Sequence, residues 1–351
     1  MYSTYCHWTL RTSLLFLLFC AAAVADSDGD PLFASNETLQ VTITAPFTSL
    51  MRDRPNEEYV PAIFRYQDPA GDTVEFNIGL RTRGRLRRKP DICSFAPLRL
   101  NFKKSETKNT LFDKQDKLKL VTHCQNNNSR YRQNVLEEYL AYRILNLLTD
   151  VSYRVRLLQI TYVDTDRDNS ERASFAFFIE YADRLAKRID TPALKIPGTT
   201  VFSLQSEYLN LTSVFQYFIG NTDFSPIAAA AGEKCCHNYT LFAKENESYF
   251  AVPYDFDMSG IVNADYAAPS KNMRIRNVRQ RLYRGRCVNE SHVQTSLTLF
   301  AAKRDDIVTL ADEMDLMKSA TRKSVLIYID KFYRLLNSPK KIEKELIKKC
   351  I

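Results

Sequence analysis

Glycine is scarce in this chain, nine in 351 residues, and no glycine-rich run of the kind that cradles phosphates occurs along it. Only four histidines are present, scattered, and none of the eight cysteines belongs to a Cys-x-x-Cys pair, which sets a zinc site aside. Past the N-terminal apolar run no segment is hydrophobic enough to cross a bilayer, so the mature chain is read as having no integral membrane segment. Charge of one sign is not in large excess: 49 Lys and Arg against 41 Asp and Glu leave +8. That balance favours an anionic ligand only weakly and is ordinary for solubility.

What is present begins with a leader. Arg11, the apolar stretch Leu14–Cys20 and the small residues Ala23-Val24-Ala25 are the three parts of a secretory signal over residues 1–25. Bulky Phe19 before Cys20 speaks against lipoprotein processing, so cleavage is expected before Asp26 and the product is read as exported, periplasmic or extracellular. Export argues against nucleic acid as a partner. Six cysteines then remain, Cys93, Cys124, Cys235, Cys236, Cys287 and Cys350, an even set that favours disulfides. At least two bridges are expected, one of them tying the Phe224–Cys236 segment to Cys287 or Cys350.

Apolar content of 45% and aromatic content of 12% supply a core. Residues 26–36 read as a flexible lead-in. Period-two alternation marks strands at Val41–Thr44 and Val74–Ile78, and further strand candidates follow at Pro97–Phe102, Lys117–Val121, Val155–Val163 and Ala173–Glu180. A helix is expected over about Arg132–Leu148, its stripe carried by Leu136, Leu140, Ile144, Leu147 and Leu148. After Tyr181 the pattern turns helical, at Asp183–Arg188, Ser206–Ile219 and across Ile307–Leu336, with a short hairpin at Leu241–Ala243 and Tyr249–Pro253. The division is a β-rich part over 26–181 and a helix-rich part over 182–351, an α+β chain with two lobes and a cleft between them.

The densest cluster of unusual polar residues lies between Gly220 and Asp265: Gly220-Asn221-Thr222-Asp223, Cys235-Cys236-His237-Asn238 and Val252-Pro253-Tyr254-Asp255-Phe256-Asp257. Asp255 and Asp257, one residue apart just past a strand, form a hard-oxygen pair suited to Mg²⁺, with Asn238 able to add an amide oxygen. An aspartate for an acceptor hydroxyl, an asparagine for metal and a later aspartate for the metal bridging the phosphates is the order of a phosphoryl-transfer site. Lys119 on a strand is placed to meet phosphate oxygens, with Lys117 its rival on the same face. Glu137 and Glu138 on the next helix are candidates to pair with that lysine, and the wheel slightly favours Glu137. His237 reads as structural, and Asp257 either binds a second ion or holds its loop.

These elements resemble the atypical kinases that include the spore coat CotH-like proteins and the HipA-type kinases. The resemblance spans roughly residues 75–285 and is strongest from Gly220 to Ala267. It implies a two-lobed protein-kinase-like fold with a β-rich N-lobe and a mostly helical C-lobe, and ATP with Mg²⁺ or Mn²⁺ in the cleft. It makes Asp223 the catalytic aspartate, Asn238 and Asp255 metal ligands, and Lys119 the phosphate-binding lysine. The strand ending Ile179-Glu180 would lead across to adenine. Two departures stand out: the long separation of Asp223 from Asn238, and the missing glycine loop. The basic run Arg81–Lys89 is either a substitute for that loop or a solvated charged segment. The acceptor, a protein or a small molecule, is not specified. A non-catalytic binding module and a metal-dependent phosphoesterase are the competing functions.

Overall fold

The computed structural model describes residues 29–229, 235–270 and 272–351, so the leader expected over 1–25 lies outside the described residues. Asp30 caps a first helical turn, α1 (Pro31–Ala34), whose Leu32 and Phe33 are buried in the first core. The lead-in expected to be flexible is, from Asp30 on, a hydrophobic plug. Seven strands follow, interrupted by α2 (Phe47–Asp53): β1 (Leu39–Ala45), β2 (Val60–Gln67), β3 (Thr73–Thr82), β4 (Leu98–Asn101), β5 (Lys117–Val121), β6 (Val155–Asp164) and β7 (Ser170–Ile179).

These strands close on themselves in the order β1-β2-β3-β4-β5-β7-β6, and β6 returns to β1 in parallel, with Leu39 opposite Leu158 and Ala45 opposite Asp164. The expected two-lobed protein-kinase-like fold is thereby overturned: the β-rich part is a closed barrel, antiparallel throughout except at the β1–β6 junction. Alternation along a strand fixes which face is buried but not which distant strand it meets. Closure leaves the barrel without free edges.

Side chains of one parity fill the barrel: Ile43, Phe64, Leu80, Leu98, Leu100, Leu118, Leu120, Leu158 and Phe178 are fully buried. Phe112, from the β4–β5 connection, enters this core edge-on to Phe64 at 5.0 Å between ring centres. The opposite parity faces outward, and on β7 it is buried as well. Ala176 and Phe178 point into the barrel, while Phe177 and Ile179 join a second core. That is why this strand reads as a continuous apolar run rather than an alternating one.

The second core is organised on α3 (Ser129–Leu148), capped by the Asn128 side chain, which accepts from the Arg130 N–H. α3 lies between the outer barrel face and the later elements: α4 (Ala182–Arg188), α5 (Ser206–Ile219), the hairpin β8 (Tyr239–Phe242) and β9 (Phe250–Pro253), then α6 (Val293–Ala302), α7 (Arg304–Asp312), α8 (Ser319–Leu336) and α9 (Pro339–Glu345). The helical pattern expected over Ile307–Leu336 is broken between α7 and α8, where Met314 and Met317 turn inward. No helix among the described residues is long and apolar enough to cross a membrane.

One buried group makes the barrel acid-sensitive. His123, just past β5, is stacked on Phe95 and hydrogen-bonded to Asn126 and Ser174, and burial depresses its pKa to about 4. A depressed histidine stabilises the fold fully above its ordinary titration near 6.5 and loses that contribution as pH falls toward 4. His123→Gln is therefore expected to flatten the acid decline in unfolding free energy, by roughly 3 kcal/mol over that window. Equal slopes for parent and variant in urea titrations between neutral pH and pH 4 would overturn this.

Candidate functional site

The helical side of the site is built outward from the end of α5. Gly220 terminates that helix in the left-handed conformation (φ 70°), its N–H returning to Gln216 and Tyr217 carbonyls. The next residues form an Asx turn, in which the Asp223 N–H donates to Asn221 Oδ1 at 3.0 Å. The segment that separates Asp223 from Asn238 folds back through an antiparallel bridge between Ser225 and His237. The long spacing in sequence thus becomes contact in space. His237 Nε2 is 2.9 Å from Asp223 Oδ1, and Asn238 Nδ2 donates to the Asp223 carbonyl at 2.7 Å. Asp223 raises the His237 pKa, chiefly through that hydrogen bond.

The β8–β9 hairpin then joins the two expected metal ligands. Tyr239 faces Pro253 across the hairpin, and the Tyr254 N–H donates to the Asn238 carbonyl at 3.0 Å. Asn238 (φ 57°) and Asp255 (φ 64°) both hold left-handed backbone. Such conformations persist where surrounding structure imposes them and cluster at functional sites. For Asp255 the constraint is visible: its N–H donates to the hydroxyl of Tyr142, on α3, at 2.8 Å.

The barrel contributes cations. Outward positions on three adjacent strands set Arg81 opposite Arg99 and Arg99 opposite Lys119. Like charges facing each other across strands are destabilising. The Nε atoms of Arg81 and Arg99 are also buried without a hydrogen-bond partner among the described residues. Burial first, then Arg83 and Arg99, pulls the Lys119 pKa down to about 7, and the ammonium lies 4.9 Å from the Tyr254 ring centre. Lys117, its rival, is exposed and outside the cleft.

The basic run after β3 is anchored rather than freely solvated. Arg54 donates to the carbonyls of Arg88 and Cys93, and a Cys93–Cys124 disulfide ties its far end beside β5. Arg83, Gly84, Arg85 and Arg87 consequently line the same cleft of about 370 Å³ as Lys119, Glu138, Asp223, Asn238, Asp255 and Asp257.

Within this cleft the sequence-based pairing changes partners. Glu138, not Glu137, reaches the site, and its charge meets Arg87 rather than Lys119. Arg87 Nη1 is 3.9 Å from both Glu138 Oε2 and Asp257 Oδ2, and a second nitrogen donates to the Thr122 carbonyl. Burial alone would lower the Arg87 pKa; Tyr266, Asp257 and Glu138 hold it charged. Asp257, buried and hydrogen-bonded by Tyr266 at 3.0 Å, is pushed up to about 7 by burial and then by Asp255. Glu138 is raised as well, by burial first and then by Asp257 and Asp255.

Glu137 is engaged elsewhere, with Arg130 at 2.9 Å and Asn134 at 3.0 Å. Glu180 is buried against Arg188 at 2.7 Å and accepts the Arg154 N–H, while its own N–H donates to the Arg154 carbonyl. Neither carboxylate lines the cleft.

Among the described residues no three His, Cys, Asp or Glu side chains form a ready-made metal cluster. The donors present still suit a hard cation. Asp255 and Asp257 carry mutually repelling negative charge in one cleft, and Asn238, its Nδ2 spent on Asp223, has its amide oxygen left to ligate.

A disulfide corrects the expected connectivity. Cys287 pairs with Cys350, so the Phe224–Cys236 segment is not stapled to either C-terminal cysteine. Backbone pairing explains it: the Ile351 N–H donates to the Gly285 carbonyl and the Cys287 N–H to the Ile351 carbonyl, which brings Cys350 to Cys287. No protein-family model matches the chain, and no curated protein is similar to it.

Proposed function

We propose that this exported protein binds a nucleoside triphosphate with a divalent cation in the cleft between barrel and helices and transfers a phosphoryl group to a hydroxyl. The observation that carries the reading is charge placement: Arg83, Arg87 and Lys119 line one cleft with Asp223, Asn238, Asp255 and Asp257, and Lys119 stands opposite a further cation, Arg99, across the β4–β5 pairing. Cations stacked at a cost in stability are what an anion-binding surface requires before its ligand arrives. Arg83 and Lys119 would hold phosphate oxygens, the latter regaining full charge as it does so. Asn238, Asp255 and Asp257 would hold Mg²⁺ or Mn²⁺, which supplies charge neutralisation on the phosphates. Asp223, fixed by His237 and Asn238, would orient the acceptor hydroxyl and accept its proton as its oxygen attacks the γ-phosphorus and the bond to the β-phosphate oxygen breaks, releasing the nucleoside diphosphate. The disulfides are in keeping with an oxidising compartment.

The test is thermal stability with ATP, with Mg²⁺ and with both. A ligand at about 100 times its Kd adds roughly 2.7 kcal/mol, and the full shift is expected only from the pair. Lys119→Met is expected to hold or raise the melting temperature of the ligand-free protein while abolishing the nucleotide shift, because it removes a cation from the row. A response to metal alone together with phosphoester cleavage would favour a hydrolase. A response to neither would leave a binding module without nucleotide chemistry.

A further inference from the structure

We infer that Arg284 is a positioning residue of this site: it holds the backbone on both sides of Asp223 and so sets where that carboxylate stands. The inference rests on the phosphoryl-transfer reading and adds a residue that nothing in the motif pattern singles out. Arg284 Nη1 donates to the Thr222 carbonyl at 2.7 Å and to the Phe224 carbonyl at 2.7 Å. Its guanidinium lies 4.7 Å from the Phe224 ring centre. Asp223 is thus bracketed by two carbonyls fixed to one rigid, planar donor, which a lysine cannot reproduce.

The donor is itself held in place. Arg281, three residues earlier, donates to the Phe218 carbonyl at the end of α5 and to the Tyr328 carbonyl on α8. Arg279 donates to the Gly260 carbonyl in the loop that follows Asp257. On the other side, Gly285 and Cys287 are paired with Ile351 and closed by the Cys287–Cys350 disulfide. The segment therefore connects a covalent staple at the chain's end to the turn carrying Asp223. Without Arg284 the Thr222 and Phe224 carbonyls lose this donor, and the turn keeps its Asx bond, the hydrogen bonds from His237 and Asn238 to Asp223, the Ser225–His237 bridge and the Gly260 N–H to the Gly220 carbonyl.

The experiment compares the parent, Arg284→Lys and Arg284→Ala for phosphoryl transfer, nucleotide binding and amide hydrogen exchange. Misplacing a reacting group by about 1 Å costs on the order of 10²-fold. Arg284→Ala is expected to lose about that factor in kcat with nucleotide Kd unchanged and faster exchange confined to Thr222–Ser225. Methylguanidine is expected to restore part of the rate in the alanine variant, and lysine to restore little. An active parent whose folded Arg284→Ala variant keeps its kcat overturns this inference alone. A loss in kcat matched by equal loss of nucleotide binding, with exchange raised throughout and no rescue, also overturns it, by making the role merely structural. A parent that transfers no phosphate overturns the functional reading, and Arg284 as its positioning residue with it.

Discussion

Asp223→Asn is expected to reduce phosphoryl transfer by about 10²–10⁴-fold while leaving metal-dependent nucleotide binding at the parent level. The substitution keeps the side chain's size and its place beside His237 and Asn238 but removes the proton acceptor. Asp255→Ala is expected to fail differently. It takes a carboxylate from the metal-facing set, so nucleotide binding should weaken together with turnover, and added Mg²⁺ should no longer enhance it. Circular dichroism must first show both variants folded, since Asp223 also closes an Asx turn and Asp255 anchors on Tyr142. If both folded variants bind nucleotide as the parent does, and the parent transfers phosphate to no acceptor, including itself and water, the site is not a phosphotransferase.

Gly220→Ala is expected to be among the most damaging single-atom changes in the protein. The residue sits at φ 70°, a conformation that costs an L-residue about 1–2 kcal/mol. An added Cβ would also stand 2.0 Å from the Tyr328 hydroxyl and 3.4 Å from the Gly260 Cα. Relieving such an overlap in a packed core costs about 1–3 kcal/mol more, for a total of roughly 2–5 kcal/mol. The damage should spread to the site, because the Gly260 N–H donates to the Gly220 carbonyl and the Ile261 N–H to that of Ile219. That pairing joins the Asp223 turn to the loop after Asp257. The Tyr328 hydroxyl is buried without a hydrogen-bond partner among the described residues, so Tyr328→Phe alone should be neutral or stabilising. Combined with Gly220→Ala it should recover the steric part of the loss and leave the backbone part. Equal denaturation midpoints for Gly220→Ala and the parent would show that the turn yields easily.

Much of this site was legible in the chain because its parts are local. Asp223 follows a helix whose bounds, Ser206–Ile219, match the periodic pattern, and Asn238 and Asp255 flank a hairpin marked by two short apolar runs. What was not legible depends on distant surfaces. The choice between Glu137 and Glu138 rested on one buried stripe, yet α3 is covered by the barrel on one side and by helices on the other. Both glutamates are therefore buried, and the wheel cannot rank them. Arg87 took the partner assigned to Lys119 because its segment is drawn in by Arg54 and the Cys93–Cys124 bridge, contacts that no spacing rule encodes. Arg284 was hidden for the same reason: its partners are carbonyls 60 and 62 residues away. Closure of the barrel was out of reach because it depends on a parallel pairing between strands separated by most of the β-rich half.

That pairing also orders events in time. The side chains of Gln40 and Gln159, 119 residues apart, meet across the β1–β6 junction. A chain emerging from its N-terminus can form the β1–β2–β3 meander early, from local hairpins. It must then hold the outer edge of β1 unpaired until β6 has been delivered. Loop-closure entropy makes such a contact late and slow, and an open strand edge is what neighbouring chains add to. Closing the ring is thus the committing step of folding, and because β7 must also enter between β5 and β6, the β-rich half stays prone to self-association until residue 179 is in place. Helix α3, lying between β5 and β6 in sequence, must already be packed or be carried along when the ring shuts. The cation row and the carboxylate cleft are then assembled together rather than one after the other.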